Sequence, residues 1–325
     1  MTLRIRPFTA DDYPAVVAIQ NTVWPDESTD VDEMRFNDEH RDAKCRHRRW
    51  VAEADGELVG WGQHDQLAGR YHPDKYWLEF YVHPDHQRQG IGSALYDTVL
   101  AALQPFNPWL VRVGLREDMT ACRAWLTRRG FREDWRSWES RLDVAAFDPT
   151  PFGGYQERLA AQGITLRSFR DLADDPGRDR KLFDLLAEVR PDAPMRDEAT
   201  PIDYEAWRQS VLYGRYMDED GYFVAVRDGE YLGLSNLLRP KPGQDVETGY
   251  TGVARRARGL GLAQALKLRV LDYARQQGYT FIRTVNNSLN YPMLAINAKF
   301  GFERLPAWVY YVKYLRDDDV NLNRE

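Results

Sequence analysis

Two short segments of the chain have the composition of an anion-binding turn. HQRQGIGSAL, residues 86–95, follows the β-forming run WLEFYV, and RGLGLAQALK, residues 258–267, follows ETGYTGV. A glycine turn between a strand and a helix leaves backbone N–H groups unpaired at the positive end of the helix dipole, which suits a phosphate group. Neither turn matches GxGxxG or GxxxxGK[ST], which argues against a dinucleotide fold and a P-loop.

The surroundings of the two turns also repeat along the chain. DGELVG at 55–60 matches DGEYLG at 228–233, and Gly-Phe at 130–131 matches Gly-Phe at 301–302. Landmarks repeated in the same order predict an internal duplication. A chain of 325 residues accommodates two domains of ordinary size. We therefore predict two domains, residues 1–150 and 151–325.

Each copy contains the same succession of predicted elements. A first strand and helix precede a hairpin with Asp-Gly at its turn, and a central strand then enters the glycine turn. A helix, a strand, a second helix ending at Gly-Phe and a last strand follow. The predicted fold class is α/β, an α+β arrangement around a mixed sheet in each domain.

The two turns share the pattern Q/R-x-x-G-x-G/A, which resembles the acetyl-coenzyme A motif of the GNAT N-acetyltransferase superfamily. Val82 and Val253 each stand five residues before the Gln or Arg that opens the pattern. In that family the turn amides hold the coenzyme A pyrophosphate, and the preceding strand pairs with the pantetheine arm. The resemblance covers nearly the whole chain, as two tandem GNAT domains, and the second copy is most similar to the group that includes mycothiol synthase.

The resemblance implies acetyl-CoA as acyl donor and a set of binding residues. These are Val82, Gln87, Arg88, Gln89, Gly90, Ile91, Gly92 and Ser93 in the first copy, and Val253, Arg258, Gly259, Leu260, Gly261, Leu262, Ala263, Gln264 and Asn290 in the second. Arg255 and Arg256 add positive charge beside the second turn. Asn290 matches an Asn-containing helix entry near the coenzyme A arm, where the first copy has Met119.

Because a primary amine is mostly protonated at neutral pH, a carboxylate is often placed to accept its proton directly or through water. Glu247 stands six residues before Val253, where some GNAT enzymes carry their base. Glu79 stands three before Val82, so a regular strand directs it to the opposite face unless a bulge intervenes. Both are candidates and Glu247 is the better one; the alternative for each is a solvated strand carboxylate, which for Glu79 is at least as well supported.

The general acid departs from the family pattern. Many GNAT domains place a Tyr four residues before Gly-Phe, where this chain has Leu126 and Asn297. Water or another residue must then supply the proton, and Tyr291 is a candidate. Its alternative role is packing. Trp24 and Trp61 are candidates for lining an acceptor pocket.

The composition of the chain bears on its cellular location and on the classes of partner it can bind. A formal charge of −6 does not indicate binding to nucleic acid. The chain contains no apolar run of about 18 residues, as a membrane span requires, and its first residues do not have the pattern of a signal peptide. Cys45 and Cys122 cannot form a disulfide framework, and the His residues near the first turn lack metal-ligand spacing. We expect a cytoplasmic protein without a metal or membrane partner.

Two functions remain in view. The first is a cytoplasmic N-acetyltransferase that acts on the primary amine of a small molecule, with a longer acyl donor as a variant. The alternative is a non-catalytic tandem module that binds acyl-CoA. Because Glu247 and Asn290 both lie in the second copy, the sequence favours that copy for turnover. Neither the acceptor nor an oligomeric state follows from the sequence.

Overall fold

The computed structural model describes residues 2–241 and 244–316. In chain order the strands and helices are β1 (Leu3–Pro7), α1 (Tyr13–Val23), α2 (Val31–Glu39), β2 (Arg48–Ala54), β3 (Glu57–Asp65), β4 (Lys75–Val82), α3 (Ile91–Leu103), β5 (Leu110–Arg116), α4 (Thr120–Arg128), β6 (Arg132–Asp143), α5 (Tyr155–Ala160), β7 (Thr165–Ser168), α6 (Arg178–Val189), α7 (Tyr204–Trp207), β8 (Met217–Arg227), β9 (Glu230–Leu238), β10 (Val246–Val253), α8 (Leu262–Gln276), β11 (Phe281–Asn287), α9 (Tyr291–Lys299), β12 (Glu303–Arg304) and β13 (Trp308–Tyr314). The predicted mixed α/β class is confirmed.

The chain divides into two compact units. The first unit runs from the N-terminus to Trp135 and includes β13, and the second unit is Arg136–Ala307. In the first unit the strand order is β1-β2-β3-β4-β5-β13, and in the second it is β6-β11-β10-β9-β8-β7. In each sheet one neighbouring pair is parallel, β4 with β5 and β10 with β11. The other pairs within each unit are antiparallel.

The last strand of each sequence copy pairs with the sheet of the other unit. The duplication predicts instead that each copy keeps its own last strand. β13 ends the second copy in sequence but pairs with β5 of the first unit. β6 ends the first copy, but from Ser137 onward it pairs with β11 of the second unit. The two units therefore differ from the predicted domains 1–150 and 151–325 mainly in which unit contains β6 and which contains β13. The physical reason is that β5 and β11 offer equivalent edges, so either last strand satisfies either edge.

Each unit has its own core. In the first unit α3 presents Ile91, Leu95 and Val99 at helical spacing to the buried residues of the sheet. In the second unit α8 does the same with Leu262, Leu266 and others. The Asp-Gly hairpins form as predicted, and positive φ values at both turn residues, 50° at Asp55 and 89° at Gly56, match a type I′ turn.

Within the described ranges, no helix has the length and apolar character to cross a membrane.

Candidate active site

A cleft opens in the first unit where its two parallel strands separate. β4 pairs with β5 from Lys75 to Trp77, and no pairing continues beyond Trp77. The separated ends enclose a space of about 380 Å³, which we call the first cleft. Its lining residues are Val23, Trp24, Leu78, Glu79, Phe80, Tyr81, Val82, His86, Gln87, Arg88, Gly90, Gly92, Ser93, Val113, Gly114, Leu115, Met119, Ala121, Cys122, Trp125, Leu126 and Arg128. The volume falls in the range of pockets for small ligands.

The glycine turn forms one end of the first cleft. Gly90 caps the N-terminus of α3 in the left-handed conformation, with φ of 87°, which strongly favours glycine. The Gln87 Nε2 atom donates to the Val82 carbonyl oxygen over 3.1 Å and ties the turn to the end of β4. Because α3 begins directly after Gly90, the first backbone N–H groups of α3 have no partner within the helix and point away from its N-terminus. This is the geometry of an anion site.

Most of the predicted residues of the first turn line this cleft. Of the eight, six do so, and the exceptions are Gln89 and Ile91. The Ile91 side chain is buried in the core, so only its backbone is placed for a ligand. Gln89 Nε2 donates to the Asp85 carbonyl oxygen over 3.3 Å. No carboxylate of the described residues lies within 4.0 Å of the Arg88 guanidinium, so its charge faces solvent and the cleft.

Glu79 is the carboxylate among the residues that line the first cleft. β4 pairs with β3 without a register shift, so Glu79 and Val82 face opposite sides of the strand, as a regular strand requires. Glu79 is exposed to solvent through the opening of the cleft, but the strands around it exclude part of the water that would hydrate its carboxyl group. This desolvation raises the pKa of its carboxyl, and the charge of Asp65 adds to the effect.

A polar network lies behind Glu79. Gln63, opposite Glu79 on β3, donates from Nε2 to Glu79 Oε2 over 3.0 Å. Gln63 Oε1 accepts from Arg49 Nε over 2.8 Å and contacts His47 Nε2 at 3.0 Å. Arg49 in turn donates from Nη1 to Asp38 Oδ2 over 2.9 Å. Burial lowers the pKa of His47, so at neutral pH its ring is uncharged.

The second turn has the same backbone geometry. Gly261 caps α8 with φ of 79°, and Gly259 has φ of 82°. Arg258 Nε donates to the Val253 carbonyl oxygen over 3.4 Å, as Gln87 does in the first unit. Leu262 is buried in the core, so only its backbone is placed for a ligand. Leu260, Ala263 and Gln264 are partly buried at the start of the helix.

The charges at the second turn are already paired. Asp192 contacts both Arg258 and Arg255, the latter through Nε at 3.1 Å. Hydrogen bonds from Arg255 and Arg258 lower the pKa of Asp192 to about 2. Glu188 pairs with Arg256 at 3.0 Å and accepts the Arg255 backbone N–H over 2.8 Å. The arginines beside the second turn, which we expected to attract the phosphates of coenzyme A, are therefore paired with two carboxylates of the chain itself.

Glu247 occupies a different strand position from Glu79. It is exposed on β10 and is the last residue there that pairs with β11, opposite Arg283. A β-bulge lies between Thr248 and Thr251, where the Tyr250 N–H donates to Asn236 Oδ1 over 2.8 Å. The bulge that would bring Glu79 to the same face as Val82 is absent from the β3–β4 pair, whereas β10 contains one.

The remaining predicted residues lie around α9 and α4. Asn290 caps α9, where its Oδ1 accepts the Met293 N–H over 3.4 Å, and Tyr291 beside it is 68% exposed. Asn297 and Leu126, at the position of the family's Tyr, are both buried. Asn297 Nδ2 donates to Asn286 Oδ1 over 2.7 Å. Because the two residues are Leu and Asn, neither position has a phenol group that could donate a proton.

Sequence reasoning did not identify Gln63, Arg49, His47, Asp38 or Asp192. The signal for Gln63 is its place opposite Glu79, which depends on the β3–β4 register and therefore on the loop between the strands. Trp24 lines the first cleft, whereas Trp61 is buried and stacks on Tyr81 with ring centroids 4.3 Å apart. The described residues contain no His, Cys, Asp and Glu group suited to a metal ion.

Two segments of the chain, residues 10–131 and 181–302, match the acetyltransferase (GNAT) family. The chain belongs to the GNAT family. It is an acetyltransferase, and its acyl donor is acetyl-CoA. Both matched segments end at the Gly-Phe pairs, before the strands that join different units.

Relatives of this GNAT protein match it over most of their own length. The mycothiol acetyltransferase of Salinispora arenicola is 29% identical over 292 residues, covering 87% of this chain and 85% of its own. That of Amycolatopsis mediterranei is 29% identical over 272 residues, covering 80% and 82%. A tandem GNAT protein from the clavulanic acid biosynthesis pathway has 21% identity, covers 96% of this chain and 98% of its own, and superposes with a TM-score of 0.72. A GCN5-related N-acetyltransferase from Sphaerobacter thermophilus has 20% identity, covers 97% and 96%, and superposes with a TM-score of 0.70. These structures support the tandem fold.

Proposed function

We propose that the protein acetylates the primary amine of a small molecule, with acetyl-CoA held in the first cleft and Glu79 as general base. The observation that carries this proposal is the position of Glu79. It faces the same cleft as the glycine turn, on the strand that ends at that turn. A base and an anion site at one cleft are the two parts that amine acetylation requires.

The proposed residues divide the chemistry between them. Acetyl-CoA supplies a thioester, whose carbonyl carbon the amine nitrogen attacks, so that an N–C bond forms and the C–S bond breaks. Glu79 takes a proton from the amine, and its raised pKa brings it closer to the working pH than an ordinary Glu. The first-turn amides and Arg88 hold the pyrophosphate. Water supplies the proton for the thiolate, because Leu126 stands where the family's Tyr would be.

The acceptor class rests on the relatives. The cleft of about 380 Å³ also contains the glycine turn assigned to acetyl-CoA, so the relatives carry the choice of acceptor. Because relatives at 29% identity are named mycothiol acetyltransferase, the deacetylated amine of mycothiol is the first acceptor to test. Other primary amines of similar size complete the panel.

The test is amine-dependent release of coenzyme A thiol, corrected for hydrolysis without acceptor. We expect release with at least one amine of the panel, and mass spectrometry should find the matching N-acetyl product. Binding of acetyl-CoA without amine-dependent release from any member would contradict the proposal and favour a binding module. Titration calorimetry on the same samples separates loss of binding from loss of chemistry.

A second candidate site lies in the second unit, with Glu247 as base and Asn290 near the coenzyme A arm. The observation in its favour is the β-bulge at Gly249 and Tyr250, which interrupts β10 beside the point where its pairing with β11 ends. Bulges are over-represented next to active sites. Paired substitutions in the two units distinguish this site from the first cleft.

A further inference from the structure

We propose that Gln63 is a positioning residue that holds the Glu79 carboxylate in the first cleft. The inference rests on the proposed role of Glu79. Gln63 does not line the cleft; it is buried behind Glu79 and reaches it across the β3–β4 pair. Its amide donates to Glu79 Oε2 over 3.0 Å.

The orientation of the Gln63 amide is fixed by its other partners. An amide has an acceptor oxygen and a donor nitrogen, and Arg49 is a donor only. Arg49 Nε lies 2.8 Å from Gln63 Oε1, which requires the oxygen to point towards Arg49. The amide nitrogen then points towards Glu79. Neutral His47, 3.0 Å from the same oxygen through Nε2, acts as a second donor.

Arg49 is itself held from behind. Its Nη1 and Nη2 atoms donate to Asp38 Oδ2 and Oδ1 over 2.9 and 3.3 Å, and both Arg49 and Gln63 are buried. Burial alone would raise the pKa of Asp38. The charge of Arg49 and the hydrogen bond from Tyr13 have the larger combined effect, so the pKa of Asp38 is lowered and the carboxyl group is ionised. A hydrogen-bonded chain whose central members, Arg49 and Gln63, are buried restricts the rotamers of those two side chains.

The charges that face Glu79 come from several elements. Asp65 on β3 disfavours its carboxylate form, whereas Arg49 on β2 and Arg41, which follows α2, favour it. Tyr81, the next residue on the same face of β4, keeps its phenol proton, because burial and, to a smaller extent, the charge of Glu79 raise the pKa of Tyr81 far above its ordinary value. The Gln63 hydrogen bond favours the carboxylate.

The second unit provides an internal comparison. Asn236 on β9 stands at the position that Gln63 occupies on β3, and its Oδ1 accepts the Tyr250 N–H of the bulge. A side chain at Gly249 would approach Asn236 Nδ2 to 2.4 Å from its Cβ. The side chain at this strand position therefore hydrogen-bonds the Glu79 carboxylate in the first unit and the Tyr250 backbone N–H in the second.

The experiment uses the full chain and three variants. Gln63→Leu removes the whole amide. Gln63→Glu keeps an acceptor for Arg49 and His47 but cannot donate to an ionised Glu79. Gln66→Leu is the matched control, because Gln66 is equally buried and hydrogen-bonds the Arg46 N–H at 2.9 Å and the His72 carbonyl at 2.9 Å, without contacting Glu79.

Two readouts are needed. The Glu79 titration is followed by carboxyl NMR, assigned with Glu79→Gln, and kcat/KM is measured against pH with the best amine. We expect both Gln63 variants to raise the pKa of Glu79 and to move the acid limb of kcat/KM to higher pH. At pH 7 kcat/KM should fall about tenfold, as expected for a lost hydrogen bond to a charged group. The KM for acetyl-CoA and the Gln66→Leu titration should stay at the wild-type values.

An unchanged Glu79 titration in Gln63→Leu and Gln63→Glu would overturn the positioning role. The titration requires no turnover, so it remains decisive if no amine is acetylated. Absence of amine-dependent thiol release in the wild type, together with a shifted titration in the variants, would reject the proposed function and leave the positioning role intact. If Gln63→Leu fails to fold, the uncharged Gln63→Met replaces it, because the carboxylate introduced by Gln63→Glu raises the pKa of Glu79 through like-charge repulsion alone.

Discussion

The two glycine turns have nearly the same backbone but different electrostatic surroundings. Gly90 and Gly261 cap their helices with φ of 87° and 79°, and each turn is tied to the end of its strand by a side chain. In the first unit Arg88 has no carboxylate within 4.0 Å among the described residues, whereas in the second Asp192 contacts Arg255 and Arg258. A shared motif therefore specifies the backbone of an anion site, and neighbouring charges decide how freely it accepts an anion.

The carboxylates differ between the units for a backbone reason. β4 is regular, so Glu79 faces Gln63 directly, whereas β10 has an extra residue at the corresponding position. Counting back from Val82 and Val253 along the partner strands places Glu247 opposite Leu238, two positions further from the turn than Glu79. Because a two-residue step preserves the face, both carboxylates lie on the same face of their sheets.

The largest expected effect separates these carboxylates. Glu79→Gln keeps the shape of the side chain but removes the base, so kcat/KM should fall by about 10²–10⁴-fold. Glu247→Gln is the matched control in the second unit and should retain most of the activity. Initial rates at saturating acetyl-CoA provide the measurement. The opposite pattern would transfer catalysis to the second unit, as the sequence alone favoured.

Much of the fold could be predicted, because it depends on local signals. Asp55-Gly56 and Asp228-Gly229 specify hairpins, and Gly90 and Gly261 specify helix starts, each through a backbone conformation that few residues adopt. The assignment of β6 and β13 to their sheets could not be predicted. Their alternating patterns indicate a strand but not which of two similar edges it joins.

The candidate site was less predictable, because it depends on pairing between distant residues. Gln63 and Glu79 are partners only because a loop of irregular sequence sets the β3–β4 register. The pairing of Asp192 with Arg258 depends on the course of the chain after α6, where the sequence gives no periodic signal. Residue types at a turn are readable from sequence, whereas the charges that approach it through space are not.

A buried charge offers the next test of the comparison. Lys267 on α8 is buried, with Nζ 5.1 Å from the Phe302 ring centroid, and no carboxylate of the described residues lies within 4.0 Å of it. The residue at the equivalent position of α3 is Tyr96, a neutral side chain whose hydroxyl accepts from Lys313 over 3.1 Å. Burial lowers the pKa of Lys267 from 10.5 to about 8.

Lys267→Met should therefore stabilise the protein at pH 7, by about 3 kcal/mol from that difference in pKa. The folded state binds fewer protons at this site than the unfolded chain between pH 8 and 10.5. Wild-type stability should rise with pH through this window, and the variant should lose that rise. Urea unfolding at several pH values measures both. Equal pH dependence in the two proteins would show that Lys267 has a partner or water access in solution.

The turn glycines test which unit holds acetyl-CoA. Gly90→Val places a β-branched residue at a φ of 87°, and its side chain enters the space beside the anion site. We expect acetyl-CoA affinity to fall at least about tenfold, with a strain of about 1–3 kcal/mol in folding. Gly56→Val is the control, because Gly56 has φ of 89° and equally open surroundings but lies in the β2–β3 hairpin.

Gly261→Val completes this set and should change the measured affinity much less, because Asp192 already neutralises that turn. Isothermal titration of acetyl-CoA gives affinity and stoichiometry for each variant, and circular dichroism verifies folding. A large loss of binding in Gly261→Val with none in Gly90→Val would reverse the comparison. Equal losses in Gly90→Val and Gly56→Val would attribute the effect to strain alone.

The smallest expected effect concerns the carboxylate at the second turn. Asp192→Asn in a Gly90→Val background leaves only the second turn to bind acetyl-CoA and removes the charge that contacts Arg255 and Arg258. Affinity should increase about fivefold, which is the scale of one exposed ion pair, and the gain should shrink with added salt. Asp184→Asn is the matched control, because it removes the same charge from an exposed pair with Arg180 on α6. Since the pKa of Asp192 is about 2, lowering the pH to 5 should not reproduce the effect of the substitution. An affinity that is unchanged by Asp192→Asn, or that rises equally with Asp184→Asn, would mean that Asp192 does not compete with the pyrophosphate.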